Sequence, residues 1–115
     1  MKLKHIDVKK GDTFARLGRI AIANAFDGGY EDLTGWTAQA QLRRLDYSLI
    51  STLNVTIGAR VNAKYFGITI TCPASETANW AEGEAIMDIE FTSPSSEVQS
   101  SPTFIVNILR DVTDV

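Results

Sequence analysis

The sequence is short of the residues that build catalytic and metal centres. It holds one histidine, His5, and one cysteine, Cys72. A single cysteine excludes a disulfide within the chain, and one histidine with one cysteine is too few for the three or four ligands of an ordinary zinc site. We therefore expect no metal and no cofactor. We also expect a buried, inert thiol at Cys72, because free cysteine usually behaves as a small apolar side chain.

Long apolar runs are missing as well. No stretch approaches the roughly 20 residues needed to cross a bilayer. The basic start of the sequence leads into no apolar segment of the kind that forms a secretory signal. We expect a protein that has no membrane partner and stays in the cytoplasm in which it is made.

Clusters of positive charge are absent too. The net charge is −3, and the densest basic groups are the pairs Lys9-Lys10 and Arg43-Arg44. Affinity for nucleic acid comes from several phosphate-neutralising contacts, so this balance predicts no nucleic-acid partner. The length of 115 residues fits a single domain over residues 1–115.

Apolar and polar residues alternate with a period of two along much of the chain, which is typical of strands with one wet face. The alternation is clear in residues 36–43, 53–57, 66–70 and 87–91, and less regular in 4–9, 13–24 and 104–112. Residues 75–80 are too short for more than one helical turn, which Ser75 would cap. The pattern predicts an all-β fold, an antiparallel β-sandwich of immunoglobulin-like size with about seven strands, with a small barrel as the alternative.

The aromatic residues allow two interpretations. Trp36 begins an inward-facing series and is the first candidate for the core aromatic, whereas Trp80 is expected to pin a loop. Alternatively, the two tryptophans could join Tyr30, Tyr47 and Tyr65 in a platform that stacks against sugars.

Three groups of residues could in principle carry chemistry. A serine-histidine-acid triad would have to use His5 near the N-terminus, where an exposed histidine at a strand end is the simpler interpretation. Asp88 and Glu90 are neighbours on one strand face, whereas glycosidase chemistry needs opposed carboxylates. The acidic loop 27–32 could offer oxygen ligands to calcium, although its spacing matches no calcium loop and favours a solvated turn. We predict no catalytic residue.

The last predicted strand is apolar on both faces at residues 104–106 and 108–109. One small sandwich needs apolar residues on only one face of each strand, and unburied apolar patches commonly mark interfaces. Ile105 and Leu109 are therefore the candidate interface residues, and the protein is expected to form a homo-oligomer.

Several segments resemble small tail-associated proteins of phages and prophages. Residues 32–43 read DLTGWTAQAQLR, a turn leading into a strand, and further matches follow in residues 76–83, 85–91 and 108–113. The chain is similar to the N-terminal domain of the phage baseplate upper protein. That resemblance implies a β-sandwich that anchors other parts of the baseplate, a place in the virion, and other virion proteins as partners. It brings no catalytic or binding residues.

The leading hypothesis is thus a non-enzymatic structural component of a phage or prophage virion, a docking or assembly domain of tail or baseplate type. A carbohydrate-binding β-sandwich module is the first alternative, and a small hydrolase is the second. Self-association would favour the virion component, and saturable sugar binding would favour the carbohydrate-binding module. Turnover that depends on His5 would favour the hydrolase.

Overall fold

A computed structural model describes residues 4–24 and 28–110, which contain eight strands and one helical turn. In chain order they are β1 (Lys4–Lys9), β2 (Phe14–Ile20), β3 (Thr37–Arg44), β4 (Leu49–Arg60), β5 (Phe66–Cys72), α1 (Ala74–Thr77), β6 (Gly83–Thr92), β7 (Val98–Ser100) and β8 (Phe104–Leu109). The predicted all-β class is confirmed. The strand not foreseen is β7, whose three residues are all exposed and carry no alternating pattern.

The strands join into one sheet in the order β1-β8-β6-β3-β4-β5-β2, with β7 paired to the far end of β6. All pairings are antiparallel except that of β1 with β8, which are parallel. No hairpin constrains the direction of β1 and β8, since they lie at opposite ends of the chain.

The sheet folds over on itself. The molecule measures 52 × 27 × 25 Å along its principal axes. Stacked sheet layers lie about 10 Å apart, so the smallest extent, 25 Å, is too large for one flat sheet and fits two layers. The two end strands approach one another where Arg16 Nη2 on β2 donates to the carbonyl oxygen of Asp7 on β1 at 2.8 Å. The architecture is therefore a β-sandwich, as predicted.

One face of each layer supplies the core. Along β5 every second residue is buried, and β6 repeats the pattern over most of its length. The side chains that fill the interior include Val8, Phe14, Leu33, Ala40, Leu42, Leu53, Phe66, Ile68, Ile70, Met87, Ile89, Phe91, Val106 and Ile108. This burial drives folding, because each large apolar side chain removed from water contributes about 1.5–3 kcal/mol.

The predicted ranking of the two tryptophans is wrong. Trp80 is the core aromatic, with 2% of its surface exposed and its ring centroid 6.3 Å from that of Phe14. Trp36 faces inward as predicted, but it is only partly buried at the margin of the core. It precedes the first residue of β3, Thr37, so the sheet covers it incompletely.

The predicted cap of the helical turn is also wrong. α1 begins after Pro73, which makes no side-chain capping bond, so Ser75 lies within the turn. The turn is instead fixed through Thr77, which is fully buried. Its Oγ1 accepts a hydrogen bond from the backbone N–H of Gly11 at 3.1 Å and donates to the carbonyl oxygen of Asp12 at 2.6 Å. α1 is thereby tied to the turn between β1 and β2.

Candidate functional site

Ile105 and Leu109 both lie on the outer face of β8. They are out of phase with Val106 and Ile108, which are buried in the core. Ile105 is half-buried, and Leu109 keeps 41% of its surface exposed. The two residues are about 13 Å apart, given a rise of about 3.3 Å per residue, so they belong to different parts of the surface.

The strand register places Ile105 in a row that crosses five strands. Ile86 of β6 lies on one side of it and His5 of β1 on the other, while Arg43 of β3 flanks Ile86 and Leu49 of β4 flanks Arg43. We call these five residues, Leu49, Arg43, Ile86, Ile105 and His5, the outer row. Its centre is apolar and its neighbours on the same strands, such as Gln41 and Asp88, are polar.

The turn between β3 and β4 extends the outer row with exposed apolar side chains. Leu45, Tyr47 and Leu49 are 57%, 69% and 53% exposed. Tyr47 also has a positive φ of 70°, a conformation that a bulky side chain rarely adopts and that costs about 1–2 kcal/mol. The sequence gives no signal for Leu45 or Leu49, because isolated apolar residues in a turn carry no periodic pattern.

A cavity of about 490 Å³ opens beside the outer row and is lined by Gln41, Arg43, Tyr47, Ile86, Met87, Asp88 and Thr103. Arg43 is fixed at its edge, since its guanidinium donates to the carbonyl oxygen of Tyr47 at 2.8 Å and to Gln41 Oε1 at 2.7 Å. The surface around the outer row therefore combines apolar side chains with a rigid cation, which is the mixture common in protein interfaces.

Asp88 and Glu90 project from the same outer face. They line a small hollow of about 130 Å³ together with Gln39 and Gln41 of β3. The two carboxylates thus lie side by side and face amide side chains. Glycosidase chemistry would need the carboxyl groups on opposite sides of a bound sugar.

His5 lies on β1 and Cys72 on β5. His5 is exposed at one end of the outer row. Cys72 is buried, as predicted, and its thiol donates to Glu76 Oε2 at 2.9 Å. Burial first, then the Glu76 carboxylate, raises the pKa of Cys72 to about 12. Within residues 4–24 and 28–110, no group of three or more histidine, cysteine or acidic side chains is placed to hold a metal ion.

A second concave surface lies at the opposite end of β4. It is a cavity of about 350 Å³, which we call the loop-end pocket, lined by Asp32, Leu33, Thr34, Gly35, Trp36, Ile57, Gly58, Ala59, Arg60 and Phe66. A tight turn forms one wall: the N–H of Trp36 bonds to the carbonyl oxygen of Leu33 at 3.1 Å, and Gly35 has φ +84°. Glycine suits that position because it has no Cβ to oppose a positive φ.

Asp32 and Arg60 form the polar part of the loop-end pocket. Asp32 Oδ1 accepts hydrogen bonds from the Thr34 N–H at 3.0 Å and the Thr34 hydroxyl at 2.7 Å. These bonds, the hydroxyl first, and the Arg60 charge lower the pKa of Asp32 below its ordinary value. Arg60 Nη2 lies 3.7 Å from Asp32 Oδ1, and its guanidinium lies 4.7 Å from the centroid of the Phe66 ring. The sequence offered no signal for this pair.

The structure places the five aromatic residues of the alternative sugar platform in different parts of the molecule. Tyr30 and Tyr65 meet around Lys64, whose Nζ lies 5.3 and 5.1 Å from their ring centroids. Both tyrosines belong to the segments 30–36 and 60–66, which also line the loop-end pocket together with Trp36. Trp80 is in the core and Tyr47 is in the β3–β4 turn, so those two belong to no common platform.

Of the acidic loop 27–32, residue 27 lies outside the described residues.

Comparison with known proteins identifies no family, and the solved structures that match have low similarity scores. No family model matches the chain, and no curated protein matches it. Among solved structures, CopC from Methylosinus trichosporium OB3b has a TM-score of 0.47 at 11% identity, with 99% of this chain and 91% of that one covered. AggA, the major subunit of aggregative adherence fimbriae type I from Escherichia coli, has a TM-score of 0.48 at 12% identity, covering 92% and 90%.

Murine CRIg has a TM-score of 0.36 at 8% identity, covering 94% of this chain and 92% of that one. At these scores no residue role and no ligand is transferred from any of the three. Among the described residues, no helix is long and apolar enough to span a membrane.

Proposed function

We propose that this protein is a non-enzymatic structural component of a phage or prophage virion, of tail or baseplate type. In this proposal it assembles with further copies of itself and docks other virion proteins. The resemblance of residues 32–43 and the later segments to tail-associated proteins motivates the virion setting. The surface around the outer row supports the assembly role.

The observation that carries the proposal is Tyr47. A tyrosine with φ 70° and 69% of its surface exposed gains little from burial and bears backbone strain. Such strain commonly persists where a side chain has a role beyond folding. Leu45 and Leu49 are exposed on either side of it, and Ile86 and Ile105 continue the apolar surface across the sheet.

A second copy of the chain is the proposed occupant of this surface. Virion parts repeat around symmetry axes, and ring-forming contacts join one patch of a subunit to a different patch of the next. The outer row offers apolar side chains together with Arg43, while the exposed Asp88 and Glu90 on the neighbouring surface offer the opposite charge. A contact that pairs these features can close a ring.

Light scattering over a concentration series tests the proposal. We expect a defined oligomer of the unmodified protein, and monomers of Leu49→Asp and Ile105→Asp with unchanged strand content by circular dichroism. Leu109→Asp should affect assembly less, since it lies about 13 Å from Ile105. Leu17→Asp is the matched control, because Leu17 is 86% exposed on the edge strand β2, which is not part of the outer row.

Tyr47→Gly separates assembly from folding. Glycine removes the strain of the positive φ but adds conformational freedom to the unfolded chain. The two effects oppose one another, so the free energy of unfolding should stay within about 1 kcal/mol of that of the unmodified protein. Association should nevertheless be lost. If the unmodified protein remains monomeric at about millimolar concentration, where contacts of about −4 kcal/mol would register, self-assembly is wrong and only docking to a different protein remains.

A further inference from the structure

The loop-end pocket is separate from the surface proposed for assembly. Leu49 and Arg60 are the two ends of β4, eleven residues apart, which corresponds to about 36 Å. With a volume of about 350 Å³, the pocket falls in the range of small-molecule sites, about 300–1,000 Å³. A ligand bound there would leave the outer row uncovered.

Trp36 gives the pocket an aromatic wall with an available donor. Its indole is partly buried against the core and partly open to the pocket. None of the described residues accepts a hydrogen bond from its indole N–H, and that nitrogen is not among the fully buried polar atoms. A tryptophan of this kind stacks on an apolar ring face and can donate to a hydroxyl at the ring edge.

Asp32 and Arg60 supply an acceptor and donors beside that wall. Thr34 and Arg60 both contact Asp32 Oδ1, and among the described residues Oδ2 has no hydrogen-bond partner. The Asp32 side chain is 65% exposed and that of Arg60 41%. A carboxylate accepts from hydroxyls and a guanidinium donates to them, so the pair can bind adjacent hydroxyls of one ligand.

From this combination we infer that the loop-end pocket binds one pyranose ring of a neutral glycan, with Trp36 stacked on the ring and the Asp32–Arg60 pair bound to its hydroxyls. The two charges offset one another, so a neutral polyol suits the pocket better than an anion or a cation. Phe66 and the Leu33–Trp36 turn hold the pair and the indole in place before any ligand arrives, which reduces the entropy lost on binding.

Trp36 fluorescence in a Trp80→Phe background tests the inference, because Trp36 is then the single tryptophan. The probes are the methyl glycosides of glucose, galactose, mannose and N-acetylglucosamine and their short oligosaccharides, with glucuronic acid as the anionic probe and sorbitol as an acyclic control. We expect saturable quenching by at least one neutral probe, with a dissociation constant below about 10 mM. Saturation-transfer NMR on the unmodified protein should report the same sugar.

Asp32→Asn keeps an oxygen that accepts from Thr34 but removes the charge, and should weaken binding about tenfold or more. Asp46→Asn is the matched control, since Asp46 makes the same pair of bonds to Ser48, at 3.0 and 2.7 Å, in the β3–β4 turn. Trp36→Leu should abolish the saturation-transfer signal while strand content is retained.

Three results would overturn the inference. These are no saturable response to any neutral probe by either method, equal loss of affinity in Asp32→Asn and Asp46→Asn, or binding of glucuronic acid without binding of the neutral sugars. None of them bears on self-association, so the proposed assembly role stands or falls on light scattering alone.

Discussion

Replacing Trp80 by alanine is expected to destabilise the sandwich by about 3 kcal/mol. An aromatic of this size buries about 150–250 Å², and Trp80 is 2% exposed, so the lost transfer free energy is about 4–6 kcal/mol at about 25 cal/mol per Å². Against this, Trp80 Nε1 is buried with no hydrogen-bond partner among the described residues. Removing an unsatisfied donor recovers about 1–3 kcal/mol.

Urea denaturation followed by circular dichroism measures the change in the free energy of unfolding. The variant Trp80→Phe separates the loss of buried apolar area from the removal of the unsatisfied N–H. Phenylalanine keeps a ring against Phe14 and removes the unsatisfied N–H, so this variant should lie within about 1.5 kcal/mol of the unmodified protein. Trp36→Ala should cost less than Trp80→Ala, because Trp36 is only partly buried. A loss below about 1 kcal/mol for Trp80→Ala, or equal losses for the Ala and Phe variants, would refute the reasoning.

Two further predictions concern titrating groups. The Cys72 thiol, with a pKa of about 12, should stay protonated at pH 8 and should not react with a disulfide reagent in the native protein. It should react at the ordinary rate once the protein is unfolded in urea. Rapid reaction of the native protein would contradict the burial of Cys72. The carboxyl groups of Asp32 and Asp46 should titrate below 3.8 by NMR, so the hydrogen bonds they accept are fully present above that value and are lost as the pH falls through the lowered pKa. Thr34→Val should raise the pKa of Asp32 and leave that of Asp46 unchanged.

The strands that the sequence predicted well are those in which burial follows the period of two. In β5 and most of β6 each inward position is apolar, so the local pattern and the packing agree. The start of β4 shows why other boundaries were missed. Ser51 is buried there because its hydroxyl donates to Glu76 Oε2 at 3.1 Å, and a partner 25 residues away leaves no trace in the local pattern.

Trp80 and the Asp32–Arg60 pair were missed for the same reason. Trp80 lies between Asn79 and Ala81, outside any alternating run, and its burial depends on Phe14, which the fold brings to it from β2. Asp32 and Arg60 are 28 positions apart and meet because β4 extends to Arg60 through an irregular register after Ile57. Sequence periodicity reports which face of a strand is buried, and it cannot report which strand ends converge.

The contrast between the two tryptophans separates the fold from the proposed sugar site. Trp80 and Phe14 already occupy the interior near α1, and the core at the other end is filled by Leu33 and Phe66, so the indole of Trp36 is not required to complete it. A leucine at position 36 would keep the inward apolar surface that precedes β3, whereas it could neither stack on a sugar ring nor donate a hydrogen bond. Trp36→Leu therefore removes the proposed ligand chemistry at small cost to folding, and this makes the loop-end pocket testable in a protein that is still folded.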